Sequence, residues 1–183
     1  MGLSPLPRGK LVKPTSLQDF SSKRERYEVL AKELYSLLAG EPDERANAAN
    51  TAALVFHGLP EVNWAGFYFF KGGQLVVGPF QGKPACSRLT LGKGVCGTAA
   101  AQRKTIVVPD VHHFPGHIAC DSASASEIVV PIVVDGRLIG VFDVDSPVTD
   151  RFDEEDRAGL ESIIEVFLGA IGKKSLAGGS FLD

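Results

Sequence analysis

From residue 127 to residue 145 the chain is apolar almost throughout, and its internal break is Asp135-Gly136. Two strand-length apolar runs joined by Asp-Gly form a hairpin signal, because a tight hairpin turn needs left-handed backbone that these residues adopt at low cost. Residues 127–134 and 137–145 are therefore expected to pair antiparallel. A second signal lies upstream, where the aromatic run 62–70 and the run 75–80 flank Lys71-Gly72-Gly73. Two hairpins plus lone strands, one of them at 105–108, point to a mostly antiparallel sheet of about six strands.

Helices flank these strands. In residues 19–38, Tyr27, Leu30, Ala31, Leu34, Leu37 and Leu38 recur at spacings of three and four, which makes one apolar helix face. Gly40 and Pro42 end it. Asp43 is placed to cap a second helix through about residue 57, with Ala46, Ala49, Ala53 and Phe56 as the expected inward stripe. Gly92-Lys93-Gly94 leads into a short helix of small residues at 95–102. A closing helix runs from Asp153 to about residue 170, with Leu160, Ile163, Ile164 and Phe167 inward. The fold class is α+β, with helices on one sheet face and long loops on the other. One domain over 19–171 is expected, between a flexible extension (1–18) and a polar tail (172–183).

Composition narrows the function classes. The chain has 183 residues and a net charge of -3. It carries no Lys/Arg block, so nucleic acid is not an expected partner. No apolar run approaches the roughly 20 residues of a membrane span. The N-terminus has no apolar signal-peptide core and fails the myristoylation pattern. A soluble, cytoplasmic protein is expected, in which three cysteines serve as thiols rather than permanent staples. No close-spaced Cys/His pairs suggest a metal site. The glycines at 92, 94 and 97 do not follow a strand in a nucleotide-binding pattern, and no bound cofactor is expected.

The chemistry concentrates between residues 86 and 145. Cys86, Cys96 and Cys120 fall there, with Glu127, Asp143 and Asp145 close behind. The irregular stretch 109–126 also holds His112, His113 and His117; surface or turn roles suit these histidines better than catalysis. Buried inert cysteines and solvated strand-end acids are the plain alternative. Carboxylates near Cys120 would raise its thiol pKa, so a reactive thiolate there needs N–H donors or a cation. Asp143 and Asp145 are two apart on a strand and share one face. For Glu127 the face depends on the turn. A regular two-residue loop sets it opposite Val144 on the wrong face, whereas a longer loop or a bulge brings it beside the two aspartates. Three acids in one cleft repel, so at least one pKa should rise. Trp64 and Tyr68 share a strand face and could wall a pocket.

Several of these stretches resemble a family signature. They are Gly78-Pro79-Phe80-Gln81-Gly82-Lys83-Pro84-Ala85-Cys86, Gly92-Lys93-Gly94-Val95-Cys96-Gly97-Thr98-Ala99, Ile118-Ala119-Cys120-Asp121, Glu127-Ile128-Val129-Val130-Pro131-Ile132 and Gly140-Val141-Phe142-Asp143-Val144-Asp145-Ser146. Together, over about residues 27–168, they look like the free methionine-(R)-sulfoxide reductases, which are stand-alone GAF domains. The resemblance implies a cysteine that takes the sulfoxide oxygen as a sulfenic acid, a second cysteine that condenses with it to a disulfide, and recycling by thioredoxin. By position, Cys120 is the nucleophile and Cys86 the resolving thiol. Cys96 is a second resolving candidate and is not excluded as the nucleophile. Glu127, Asp143 and Asp145 match the polar substrate contacts, and Trp64 with Tyr68 the aromatic wall. Family enzymes are often homodimers. The rival readings are a GAF sensory module that binds a small ligand without catalysis, and a thiol peroxidase or redox sensor.

Overall fold

The computed structural model describes residues 20–116 and 123–177. The expected extension at 1–18, Cys120 and His117, and the end of the polar tail lie outside the described residues. The elements are α1 (Lys23–Leu38), α2 (Glu44–Gly58), β1 (Trp64–Lys71), β2 (Gln74–Gly82), β3 (Arg88–Thr90), α3 (Gly94–Gln102), β4 (Ile106–Val108), a 3-10 turn (Val111–His113), β5 (Ser126–Val134), β6 (Arg137–Ser146) and α4 (Glu154–Ala177). The strands form one sheet in the order β3-β2-β1-β6-β5-β4, and every neighbouring pair is antiparallel. This is the α+β class expected from the two hairpins.

Local signals start the helices. The Ser22 hydroxyl accepts the Glu25 amide in α1, and the Asp43 carboxylate accepts those of Arg45 and Ala46 in α2. Each side chain satisfies donors that a helix start otherwise leaves without a partner. In α1, Tyr27, Leu30, Leu34 and Leu38 are buried as the spacing predicts. The α2 stripe differs from expectation. The buried face is Glu44, Asn47, Ala48, Thr51, Ala52 and Val55, while Ala49 is exposed. Alanine is spread around this helix, so its pattern marks no face. The polar members of the inward face are satisfied locally: the Asn47 side-chain amide donates to the Glu41 carbonyl and the Thr51 hydroxyl to the Asn47 carbonyl.

The sheet separates two cores. On one face α1, α2 and α4 cover Ala65, Phe67, Phe69, Ile128, Val130, Phe142 and Val144. The Phe67 ring lies 4.7 Å from Phe142 and 4.9 Å from Phe167, which joins the sheet to α4. A buried ionic knot closes the same side. Asp156 accepts from the Tyr27 hydroxyl at 2.9 Å, Arg151 at 3.0 Å and Lys23 at 2.6 Å, tying α1 to the start of α4. The opposite face holds Trp64, Tyr68, Leu75, Val129 and Val141 under α3 and its loops. Among the described residues, three helices therefore lie on one side and a single short α-helix on the other. No helix among the described residues is long and apolar enough to cross a membrane.

Glycine makes the centre of the sheet possible. A Cβ on Gly140 would lie 2.2 Å from the Tyr68 carbonyl oxygen, a backbone atom that cannot swing aside. Gly140→Ala is expected to destabilise the fold by about 1–3 kcal/mol, the scale of core overpacking. Gly169 in α4 has nothing within 4 Å of the equivalent position. Gly169→Ala is expected to stabilise by about 0.4–1 kcal/mol. Urea denaturation of the two variants should give shifts of opposite sign.

Candidate active site

The β5–β6 hairpin decides which acids meet. Its turn is the two-residue kind, with Val134 paired to Arg137 and Asp135 and Gly136 at φ 49 and 76. A regular ladder from this turn would set Glu127 opposite Val144. Instead the register shifts by one residue: Val133 pairs with Leu138, but Ile132 pairs with Gly140. Ile139 is the extra residue, a β-bulge. Beyond it Glu127 faces Asp145. Directly paired residues share a sheet face, so Glu127, Asp143 and Asp145 all point away from the three-helix core.

β1 brings the aromatic wall to the same face. Trp64 pairs with Asp145 and Gly66 with Asp143, so Trp64 and Tyr68 stand beside the acids. The Trp64 ring stacks on Tyr68 at 5.7 Å and on Phe80 at 5.3 Å. Gly66 permits this, because a Cβ there would lie 2.6 Å from the Trp64 ring and 2.3 Å from the Phe80 Cβ. The Trp64 indole N–H donates to the Lys83 carbonyl at 3.2 Å and fixes the loop that carries Pro84, Ala85 and Cys86.

The first turn of α3 closes the space from above. The pocket is lined by Trp64, Tyr68, Cys96, Glu127, Asp143 and Asp145, and also by Lys93, Gly94, Val95 and Ser124. Its free volume is about 40 Å³, room for water-sized occupants. Anything larger requires the loops over the strands to shift. Lys93 precedes the helix and makes no side-chain cap hydrogen bond, so the first-turn amides have no side-chain acceptor at that position. Lys93 and the start of α3 line the pocket without having been among the residues expected there. The Gly92-Lys93-Gly94 run was their only signal.

Burial sets the electrostatics. Glu127 and Asp143 are each 6% exposed. Desolvation raises both carboxyl pKa values, and the Asp143 charge adds to the rise at Glu127. Asp143 is pushed up to about 7, with hydrogen bonds from Cys96 and Glu127 working against the rise. Cys96 donates toward Glu127 Oε1 at 3.8 Å. Its own pKa is pushed well above the ordinary value, first by burial and then by the Asp143 and Glu127 charges. Cys96 is thus a protonated thiol at neutral pH, and a thiol is a poor nucleophile beside a thiolate. The Sγ of Cys96 and one oxygen from each of Glu127 and Asp143 lie within 4.8 Å of one another, a set that can also accept a cation.

Two cysteines of the predicted set can be placed. Cys96 is free and buried. Cys86 is disulfide-bonded and half-buried, next to the pocket residue Ala85. Asn63 helps to set the far wall: its amide donates to the Asp145 carbonyl at 3.0 Å and its side-chain nitrogen to the Ser124 hydroxyl at 3.2 Å. His112 and His113 both turn a ring nitrogen to the Asp110 carboxylate, at 2.8 and 2.9 Å, on an exposed turn. They are surface histidines, as expected.

Comparison with known proteins follows the same lines. Residues 32–171 match the GAF domain family. A free methionine-R-sulfoxide reductase of Escherichia coli is 50% identical over 143 residues, which cover 78% of this chain and 87% of that protein. The crystal structure of free methionine-R-sulfoxide reductase from Neisseria meningitidis with its substrate superposes with a TM-score of 0.82 at 42% identity, covering 87% of this chain and 96% of that one. A Burkholderia vietnamiensis protein described as a GAF sensor superposes at 0.81 with 63% identity, covering 85% and 99%.

The raised acids carry a stability cost whose pH dependence has a definite sign. A carboxyl whose folded pKa is raised stabilises the fold fully below its ordinary value. That contribution is lost as pH rises through the folded value. For Asp143 the window runs from 3.8 to about 7. Across it, wild type is expected to lose stability relative to Asp143→Asn, which stays ahead above the window. Urea denaturation of both proteins at pH values spanning the window checks this.

Proposed function

Because the chain belongs to the GAF domain family and stands among its free methionine-R-sulfoxide reductases, we propose that it reduces free L-methionine-(R)-sulfoxide to methionine. The observation that carries the reading is one pocket where an aromatic wall meets buried acids whose pKa values are raised. A free amino acid brings an apolar thioether chain, a polar S=O group, an ammonium and a carboxylate. Trp64 and Tyr68 suit the methyl and thioether end. Glu127, whose pKa burial raises well above the ordinary range, and Asp143, pushed up to about 7, suit the sulfoxide oxygen as proton donors. Asp145, less buried and on the same face, suits the ammonium. The first-turn amides of α3, with Lys93, suit the carboxylate.

In this mechanism a cysteine thiolate attacks the sulfoxide sulfur while the acid pair protonates the oxygen. Methionine departs and the oxygen remains on the cysteine as a sulfenic acid. A second thiol attacks that sulfur, water leaves, and a disulfide forms. Thioredoxin supplies the two electrons that reopen it by thiol–disulfide exchange. Cys120 is the proposed nucleophile and Cys86 the resolving thiol. The disulfide at Cys86 and the free, buried Cys96 support Cys86 over Cys96 as the resolving thiol. The buried, protonated state of Cys96 supports a secondary role for it. Residues 19–171 act as the one catalytic unit, in the cytoplasm, where thioredoxin is available. A homodimer is the proposed assembly, with the outer face of α1 as one contact.

The first test is methionine release, with a thioredoxin system, from the separate R and S epimers and from an N-acetylated sulfoxide. Release from the free R epimer alone is the expected result. No release from a folded, reduced protein, with ligand affinity kept when all three cysteines are serine, would place the chain with non-catalytic GAF sensors instead. Faster consumption of peroxide than of sulfoxide would indicate a thiol peroxidase. Cys120→Ser is expected to abolish turnover, and Cys86→Ser to keep a single turnover but stall recycling. Glu127→Gln is expected to lower kcat by roughly 100-fold or more, the contribution of a positioned general acid.

A further inference from the structure

Cys96, Glu127 and Asp143 are held together by three elements: the first turn of α3, β5 and β6. Their donor atoms lie within 4.8 Å of one another, and the Cys96 Sγ to Glu127 Oε1 distance is 3.8 Å. Metal–sulfur and metal–oxygen bonds of about 2.3 and 2.0–2.2 Å set tetrahedral zinc ligands roughly 3.3–3.7 Å apart. Contraction of these separations by up to about 1.5 Å would therefore complete a face of such a site. A second observation concerns Asp143 itself. Its Oδ1 is buried without a hydrogen-bond partner among the described residues, although the residue is 6% exposed. A fully desolvated carboxylate oxygen with no donor is costly, and a cation supplies what it lacks.

We propose that Cys96, Glu127 and Asp143 form a binding site for a divalent cation of the zinc class, which shuts the pocket against substrate. The donor set selects the ion. One thiolate excludes magnesium and calcium as good fits, since these demand oxygen donors and more of them. One sulfur and two oxygens suit zinc or cadmium, with the fourth position left open to the pocket. Binding exchanges protons for metal. The Cys96 S–H bond breaks, a sulfur–metal bond forms and the proton leaves to solvent, with no change of oxidation state. The free volume of about 40 Å³ accommodates an ion and a water, and the ion occupies the acids assigned above to the sulfoxide oxygen. The binding half of the proposal stands on the cluster alone; the blocking half rests on the reductase reading.

The test uses the full chain in its oxidised form, with Cys86 in its disulfide and no reductant present. Cadmium titration is expected to show one equivalent bound, with a sulfur-to-metal charge-transfer band in the ultraviolet and release of protons. Cys96→Ser should lose the band. Asp143→Asn should weaken binding by about tenfold or more, the scale of a lost metal partner. A Cys86→Ser/Cys120→Ser variant, whose only thiol is Cys96, should keep the band, which guards against misfolding of the Cys96 variant. Zinc should displace cadmium, and free methionine sulfoxide should compete with both. The site is overturned by a wild type with no band, by a band that persists in Cys96→Ser, or by binding indifferent to Asp143→Asn. Cadmium held at Cys96 but untouched by excess methionine sulfoxide overturns the blocking half. Methionine release is measured separately, so a chain that binds cadmium as described but reduces nothing keeps the site and loses the reductase reading.

Discussion

Ile139, the extra residue in β6, fixes where every acid of the pocket points. A strand alternates its faces with period two, so a slip of one residue exchanges the faces of everything beyond it. With the bulge, Glu127 stands across from Asp145 rather than Val144. Without that slip relative to the turn, Glu127 would lie opposite Val144 and be directed toward Phe142 and Val144 on the helix-covered face, and Ile128 would be turned out of that core. The aromatic core on that side, Phe67 against Phe142 and Phe167, holds the register. Each of these residues is buried only while the strands keep their present faces. Packing on one side of the sheet thus determines the chemistry on the other.

That chemistry is expensive for the fold. Two carboxyl groups and a thiol are taken out of water together, and burial raises the pKa of all three. Proteins avoid such a cost by neutralising the groups, which is the state burial imposes here. The contrast with Asp156 is instructive. It is also fully buried, but it receives Tyr27, Arg151 and Lys23, so its charge is answered. Asp156 closes a structural joint between α1 and α4. Asp143 keeps an oxygen without a partner, on a surface that faces open volume. The two aspartates have similar burial and opposite surroundings, and the difference marks which one waits for a ligand.

Much of this was legible in the sequence, and the failures share a cause. The hairpins, the closing helix and the shared face of Asp143 and Asp145 follow from local periodicity and turn residues. The edge strand β3, which has three residues, is too short to show alternation. The inward face of α2 could not be read because alanines surround it and because Asn47 and Thr51 satisfy themselves against the helix backbone. The face of Glu127 could only be stated as a condition on the turn, since a bulge leaves no composition signal. The turn proved regular and the bulge supplied the shift. The start of α3 was recognised as a helix, but that it tips its first turn over the sheet toward Asp143 is a tertiary fact. A search for metal ligands along the chain likewise fails where the donors come from positions 96, 127 and 143.

The same geometry explains why one GAF face suits both binding and catalysis. The face lies under a short helix and loops, so its walls can shift, while the strands beneath stay fixed by the three-helix core. A small ligand needs only the aromatic wall and a few polar partners. Reducing a sulfoxide needs more: a proton delivered to oxygen at neutral pH and a thiol that can meet sulfur. Burial supplies the proton by raising Glu127 and Asp143. It also denies nucleophilic character to Cys96, which is buried beside those acids, because desolvation opposes a thiolate there first and any charge on the acids opposes it further. Acid and nucleophile therefore have to come from different parts of the pocket. The acids belong on rigid strands, and an attacking cysteine belongs on a loop outside the acidic cluster. That division of labour tells against Cys96 as the attacking thiol.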